Sequence, residues 1–92
     1  MVFGTKRLIR KEIRSLKKVI KELDDVEGRT QKSIEILKKI SSFLEQGGQS
    51  DKAKKLRGEI VLLEKEIYED KKAERLALLV EEKLPRIMKG QG

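Results

Sequence analysis

The sequence predicts an all-α protein that folds as one long antiparallel coiled-coil hairpin. Three observations lead to this prediction: apolar residues recur at helical spacing in both halves, a glycine pair separates the halves, and the chain has a single proline, Pro85. Charged residues make up 42% of the chain, but the apolar positions are periodic, which favours solvated helices over disorder. We expect one helical domain over residues 1–92.

The first arm of the hairpin is expected over about residues 5–46. Its seam positions alternate in steps of four and three from Ile9 to Leu44, a heptad pattern typical of coiled coils. Gly28 lies inside this pattern with the same register on both sides, so we expect the helix to pass through it at a cost of about 1 kcal/mol. The alternative is a three-helix bundle broken at Gly28. Length separates the two, because a continuous arm would span about 63 Å.

The turn between the arms is expected at residues 46–50, where Gly47 and Gly48 supply the positive φ angles that a reversal needs. The second arm then covers about residues 51–84. Folding the chain at this turn places apolar seam residues of the two arms opposite each other: Leu37 and Ile60, Ile34 and Leu63, Ile20 and Ala77.

The end of the second arm predicts contacts beyond the hairpin. Residues 76–80 are apolar nearly all round the helix, which is more than one facing arm covers. A two-helix hairpin of this size also buries too little surface to be stable alone. Pro85 disfavours helix at the residue before it, so residues 85–92 are expected to form a flexible tail. We expect copies of the chain to pair into a helical-bundle oligomer, with an interface formed by Val19, Val26, Ile36, Ile40, Phe43, Leu76, Leu79 and Val80.

The net charge of +7 lies entirely at the start of the chain. Residues 1–21 contain eight basic residues and one acid, and the remaining residues contain 15 of each. On a helical wheel the basic residues fall on one side, apart from the apolar seam. A face with so many cations and so little acid predicts contact with a polyanion. The residues of this expected site are Lys6, Arg7, Arg10, Lys11, Arg14, Lys17, Lys18 and Lys21.

Nucleic acid is the favoured polyanion. The basic helix has no stacking aromatic residue and no Asn or Gln, so we expect contacts with phosphates rather than sequence-specific contacts with bases. The alternative function is a self-assembling structural or adaptor subunit that binds a protein partner or an anionic membrane surface. In the membrane case Met1–Phe3 would insert as a small apolar tip. A solvated basic face that serves only solubility is the remaining reading.

The composition argues against catalysis. The sequence has no His or Cys, no glycine-rich phosphate loop, and no nucleophile with a visible base. Acids such as Glu66 and Asp70 are better explained by charge pairs along helices than by a metal site. We expect neither enzymatic activity nor a metal or cofactor. No apolar run approaches the ~20 residues of a membrane span, so we expect a cytoplasmic protein, and the Lys/Glu excess is typical of thermophiles.

Overall fold

The part of the chain that the structure describes folds into four helices that run up and down beside one another. The computed structural model describes residues 4–90. Helix α1 spans Thr5–Glu22, α2 spans Val26–Gln46 and α3 spans Ser50–Lys65. The last helix consists of α4 (Glu69–Leu78), a π-helical turn (Leu79–Lys83) and α5 (Leu84–Met88). The predicted all-α class is confirmed, and the described part of the chain contains no strand.

Two contacts between residues far apart in the chain fix how the helices are arranged. The Cγ2 of Thr5 lies 3.0 Å from where a Cβ on Gly47 would stand, so α1 starts beside the end of α2. The Nζ of Lys52 donates a 2.8 Å hydrogen bond to the carbonyl of Met88, so α5 ends beside the start of α3. We call this the turn end of the bundle. The opposite end, which holds residues 23–25 and 66–68, is the tip end.

The predicted turn at residues 46–50 is present, but of the glycine pair only Gly48 has a positive φ, since Gly47 has a φ of −83°. The amide of Gln49 donates to the carbonyl of Leu44 at 2.8 Å, and that of Gly48 donates to the carbonyl of Glu45 at 3.1 Å. These bonds close the C-terminus of α2 around Gly48, whose φ is 79°. Beside the turn, the Ser50 hydroxyl donates to the Glu45 carboxylate at 2.6 Å, and the Arg57 guanidinium does so at 2.8 Å. Both contacts lower the pKa of Glu45, the Ser50 bond more.

The expectation that one helix passes through Gly28 is wrong, because the first arm breaks at residues 23–25. The Asp25 carboxylate accepts a 2.9 Å hydrogen bond from the amide of Gly28 and so caps the start of α2. Gly28 therefore lies in the first turn of a new helix. The alternative of a three-helix bundle broken at Gly28 is also wrong in number, since the second arm breaks as well. The molecule extends 39 Å along its longest axis, well short of a 63 Å arm.

The second arm departs from the prediction at two places. Helix α3 ends at Lys65, and Ile67 in the following connection is 84% exposed. Helix then continues beyond Pro85 to Met88 instead of becoming a flexible tail. The π-helical turn ends two residues before this proline, which lies in the first turn of α5, where a proline is tolerated. Ile87 is buried, which anchors α5, and residues 91–92 lie outside the described residues.

The described residues of one chain form a buried core, and helix α2 lies at its centre in contact with α1, α3 and α4. Four residues expected at an oligomer interface are therefore buried inside the bundle: Ile40, Leu76, Leu79 and Val80. The other four are partly buried: Val19, Val26, Ile36 and Phe43. Breaking both arms lets one chain form the four-helix arrangement that the sequence led us to expect from two copies. The burial of these four residues removes them from the expected interface, while pairing of copies through the other four stays a prediction.

Candidate polyanion-binding face

Helix α1 is held on the bundle by one side only. Ile9 and Leu16 are buried, and Ile13 and Ile20 pack against the core from partly buried positions. This spacing of three and four residues keeps the apolar side chains on one side of the helix. The remaining surface of α1 therefore faces solvent over the length of the helix.

All eight basic residues of the expected site lie on this solvent side and are exposed. Counted at 100° per residue, they fall within an arc of about 140°. The stretch from Arg7 to Lys21 covers about 21 Å at 1.5 Å per residue. We call this set the basic face: Lys6, Arg7, Arg10, Lys11, Arg14, Lys17, Lys18 and Lys21.

No carboxylate within residues 4–90 forms an ion pair with the basic face. The ion pairs of the described residues all lie on the other helices: Lys38–Glu64, Arg57–Glu45, Lys71–Glu74, Arg75–Glu66 and Lys83–Glu59. Glu12, the one acid among residues 1–21, is partly buried on the opposite flank of the cations. The charge of the basic face is therefore left for solvent ions or an external partner to neutralise.

The basic face borders an apolar groove between α1 and the last helix. Lys17 and Lys21 stand on the α1 side, and Ala77 and Val80 line the other side. Ile20 also lines this groove, so the predicted proximity of Ile20 and Ala77 is present even though the long hairpin is not. The cations therefore continue to the edge where α1 meets its neighbour.

A second group of cations, which the sequence analysis did not single out, lies between α3 and the last helix. Lys54 and Lys55 come from α3, while Lys83 and Arg86 come from the π-helical turn and α5. We call the depression that they border the α3–α5 groove. Residues 22–92 are neutral as a whole, so composition gave no signal for this group. The break at residues 66–68 places the last helix beside α3. A sequence analysis that had predicted this pairing would have found the second group of cations.

The described residues contain no group of His, Cys, Asp and Glu that could hold a metal ion. Between residues 4 and 90, no helix is long and apolar enough to cross a membrane. Comparison of the chain with protein-family models, with curated proteins and with solved structures gives no match. The charge and geometry of the helices are therefore what bear on function.

Proposed function

We propose that the chain is a non-catalytic helical binding protein whose basic face contacts nucleic acid without sequence specificity. The observation that carries the proposal is the exposure of all eight cations with no ion-pair partner among the described residues. Releasing the counterions condensed on a nucleic acid would then drive binding. The rest of the bundle serves as a rigid support, because the apolar side of α1 is fixed in the core.

The shape of the basic face suits a phosphate backbone. Its length of about 21 Å corresponds to roughly six base pairs at 3.4 Å each. Helix α1 carries no aromatic residue for stacking and no Asn or Gln for contacts with adenine. Its long, flexible Lys and Arg side chains can follow phosphates of any sequence. We therefore expect shape and charge, rather than base identity, to determine affinity.

The alternative partners have less support from the described residues. An anionic membrane would attract the basic face, but the apolar side of α1 is buried in the bundle and cannot insert. Met1–Phe3, the apolar tip considered for insertion, lies outside the described residues. An acidic protein remains the alternative occupant of the basic face, and a structural or adaptor role remains the alternative function.

Two matched double variants test the proposal. The first, Lys11→Gln/Lys18→Gln, removes two exposed lysines of the basic face. The second, Lys32→Gln/Lys39→Gln, removes two exposed lysines of α2. In both variants the two lysines are seven residues apart in the sequence. The variants have equal net charge. Binding is measured by fluorescence anisotropy with labelled duplexes of about 20 base pairs and unrelated sequences.

We expect the α1 variant to bind at least about tenfold more weakly than wild type at low salt, and the α2 variant to stay within about twofold. Duplexes of different sequence should bind alike. Equal weakening by both variants would show that only net charge matters and would contradict the proposal. Binding to anionic vesicles but not to duplex would support the membrane alternative instead.

A further inference from the structure

The α3–α5 groove has the character of a docking site for an acidic segment. It encloses about 520 Å³ along the side of the bundle and is bordered by four cations. Glu59 is the one acid that lines it, and Lys83 already pairs with Glu59 at 3.3 Å. Lys54, Lys55 and Arg86 form no ion pair with any carboxylate in residues 4–90.

The floor of the groove contains a glycine that the chain itself does not need. Gly58 lies in the middle of α3, is exposed, and a Cβ added to it would meet no atom within 4 Å. Glycine in a helix interior lowers stability relative to alanine, and no packing among residues 4–90 requires a glycine here. A bare backbone does allow another chain to approach closely. Leu62, one turn further along α3, is 46% exposed and gives the groove an apolar surface.

The tip end of the bundle carries a segment of complementary chemistry. Ile67 and Tyr68 are 84% and 68% exposed, more than the other large apolar side chains of residues 4–90. Residues 66–70 also include three acids and lie between Lys65 and Lys71. Glu66 pairs with Arg75 at 3.6 Å, whereas Glu69 and Asp70 form no ion pair within residues 4–90. An exposed apolar pair flanked by acids matches a groove with an exposed leucine bordered by cations.

We propose that the α3–α5 groove of one molecule receives residues 66–70 of a second copy of this chain. Within one molecule, helix α3 separates the groove at Gly58 from the tip segment at Glu66 by eight residues, or about 12 Å. The tip segment therefore cannot reach the groove of its own molecule, and the contact forms between two molecules. The two surfaces differ, so each contact leaves one groove and one tip free. Assembly is then head-to-tail and produces species larger than a dimer, either open chains or closed rings. The proposal does not rest on nucleic-acid binding.

The test uses sedimentation velocity without nucleic acid, from about 10 µM to about 1 mM protein. Lys54→Glu/Lys55→Glu reverses the charge of the groove, and Ile67→Ser/Tyr68→Ser removes the apolar side chains of the tip segment. All four residues are exposed, so folding should be preserved. Wild type should grow in mass with concentration and shrink with added salt. Each variant alone should stay monomeric. An equimolar mixture should form a species of two chains and none larger, because one intact groove meets one intact tip.

A wild type that stays monomeric at the highest concentration in low salt would overturn the proposal. So would variants that assemble as wild type does, or a mixture that stays monomeric while wild type assembles. Should either double variant fail to fold, Arg86→Glu and Ile67→Ser replace them. Gly58→Ala adds an independent arm: it should raise the melting temperature and weaken assembly severalfold, whereas a purely structural glycine would change stability alone.

Discussion

The two ends of the bundle are built by different means and carry opposite charge. At the turn end the reversal depends on backbone geometry at Gly48, and residues 4–11, 44–52 and 86–90 contain seven cations and two acids. At the tip end the connection between α1 and α2 uses a side chain, the Asp25 cap, whereas α4 starts after Tyr68 without a capping side chain. Residues 22–27 and 66–70 contain seven acids and no cation.

This difference shows how a chain whose apolar pattern predicts a two-helix hairpin folds into a four-helix bundle. The glycine turn reverses the chain once, in the middle, and acidic segments break each arm again at the opposite end. Acids are favourable at helix N-termini, so the segments that end α1 and α3 also start α2 and α4. The resulting molecule is electrically polar along its axis, which suits both a basic binding face and head-to-tail association.

The largest effect on stability is expected at the glycine turn. Gly48→Ala forces an alanine into the left-handed conformation that Gly48 adopts at φ 79°. We expect a loss of about 1–2 kcal/mol in the free energy of unfolding. Urea denaturation measures this change. An unchanged midpoint would mean that the turn relaxes to another conformation and that the turn end is not held by Gly48.

A smaller loss is expected at the tip end, where a side chain rather than a glycine forms the connection. Asp25→Ala removes the carboxylate that caps α2 and should cost about 1 kcal/mol. Asp24→Ala is the matched control, because Asp24 is an exposed neighbour with no capping bond. Equal losses in the two variants, measured by thermal denaturation, would show that α2 does not depend on the Asp25 cap.

The same glycine-to-alanine change should have the opposite sign in the middle of α3. Gly58→Ala introduces a methyl group into open space and favours the helix, so we expect a gain of about 0.5–1 kcal/mol. For a domain of this size the melting temperature should rise by about 2–8 °C. A loss of stability would mean that the added methyl group clashes with neighbouring atoms and that the space beside Gly58 is not open.

The smallest effect is expected in acid, at the exposed cluster beside the turn. Hydrogen bonds from Ser50 and Arg57 hold the pKa of Glu45 below its ordinary 4.5. Their stabilisation is therefore present above pH 4.5 and is lost as the pH falls through the lower pKa of the folded state. Glu45→Gln should flatten the fall in stability below pH 4.5, measured by urea denaturation across the acid range. Ser50→Ala, which removes the stronger of the two hydrogen bonds to Glu45, should flatten it in the same direction, and an acid profile unchanged in both variants would contradict this assignment.

The sequence predicted the helical class, the central turn and most of the buried positions, because these depend on spacing and on local glycine geometry. It did not predict the breaks. The pattern of four- and three-residue steps continues through Leu23, since the two helices are separated by only three residues and Leu23 still bonds to the carbonyl of Val19 at 3.0 Å. Register alone therefore could not distinguish a tight connection from a continuous helix.

The two cationic surfaces also differ in whether the sequence predicted them. The basic face was predictable because its eight residues share one helix, and residue spacing determines which side of a helix they occupy. The α3–α5 groove was not predictable, since its cations come from segments about 30 residues apart, such as those of Lys55 and Arg86. Only the second break in the chain brings those segments together.

The salt dependence of duplex binding tests the central claim, that the basic face contacts nucleic acid through phosphates, most directly. With eight cations available, the slope of log K against log salt between about 50 and 200 mM should be negative and no steeper than about −7. Lys11→Gln/Lys18→Gln should make it shallower by about 2, and Lys32→Gln/Lys39→Gln should leave it unchanged. A slope near zero, or one that both variants alter equally, would contradict the account.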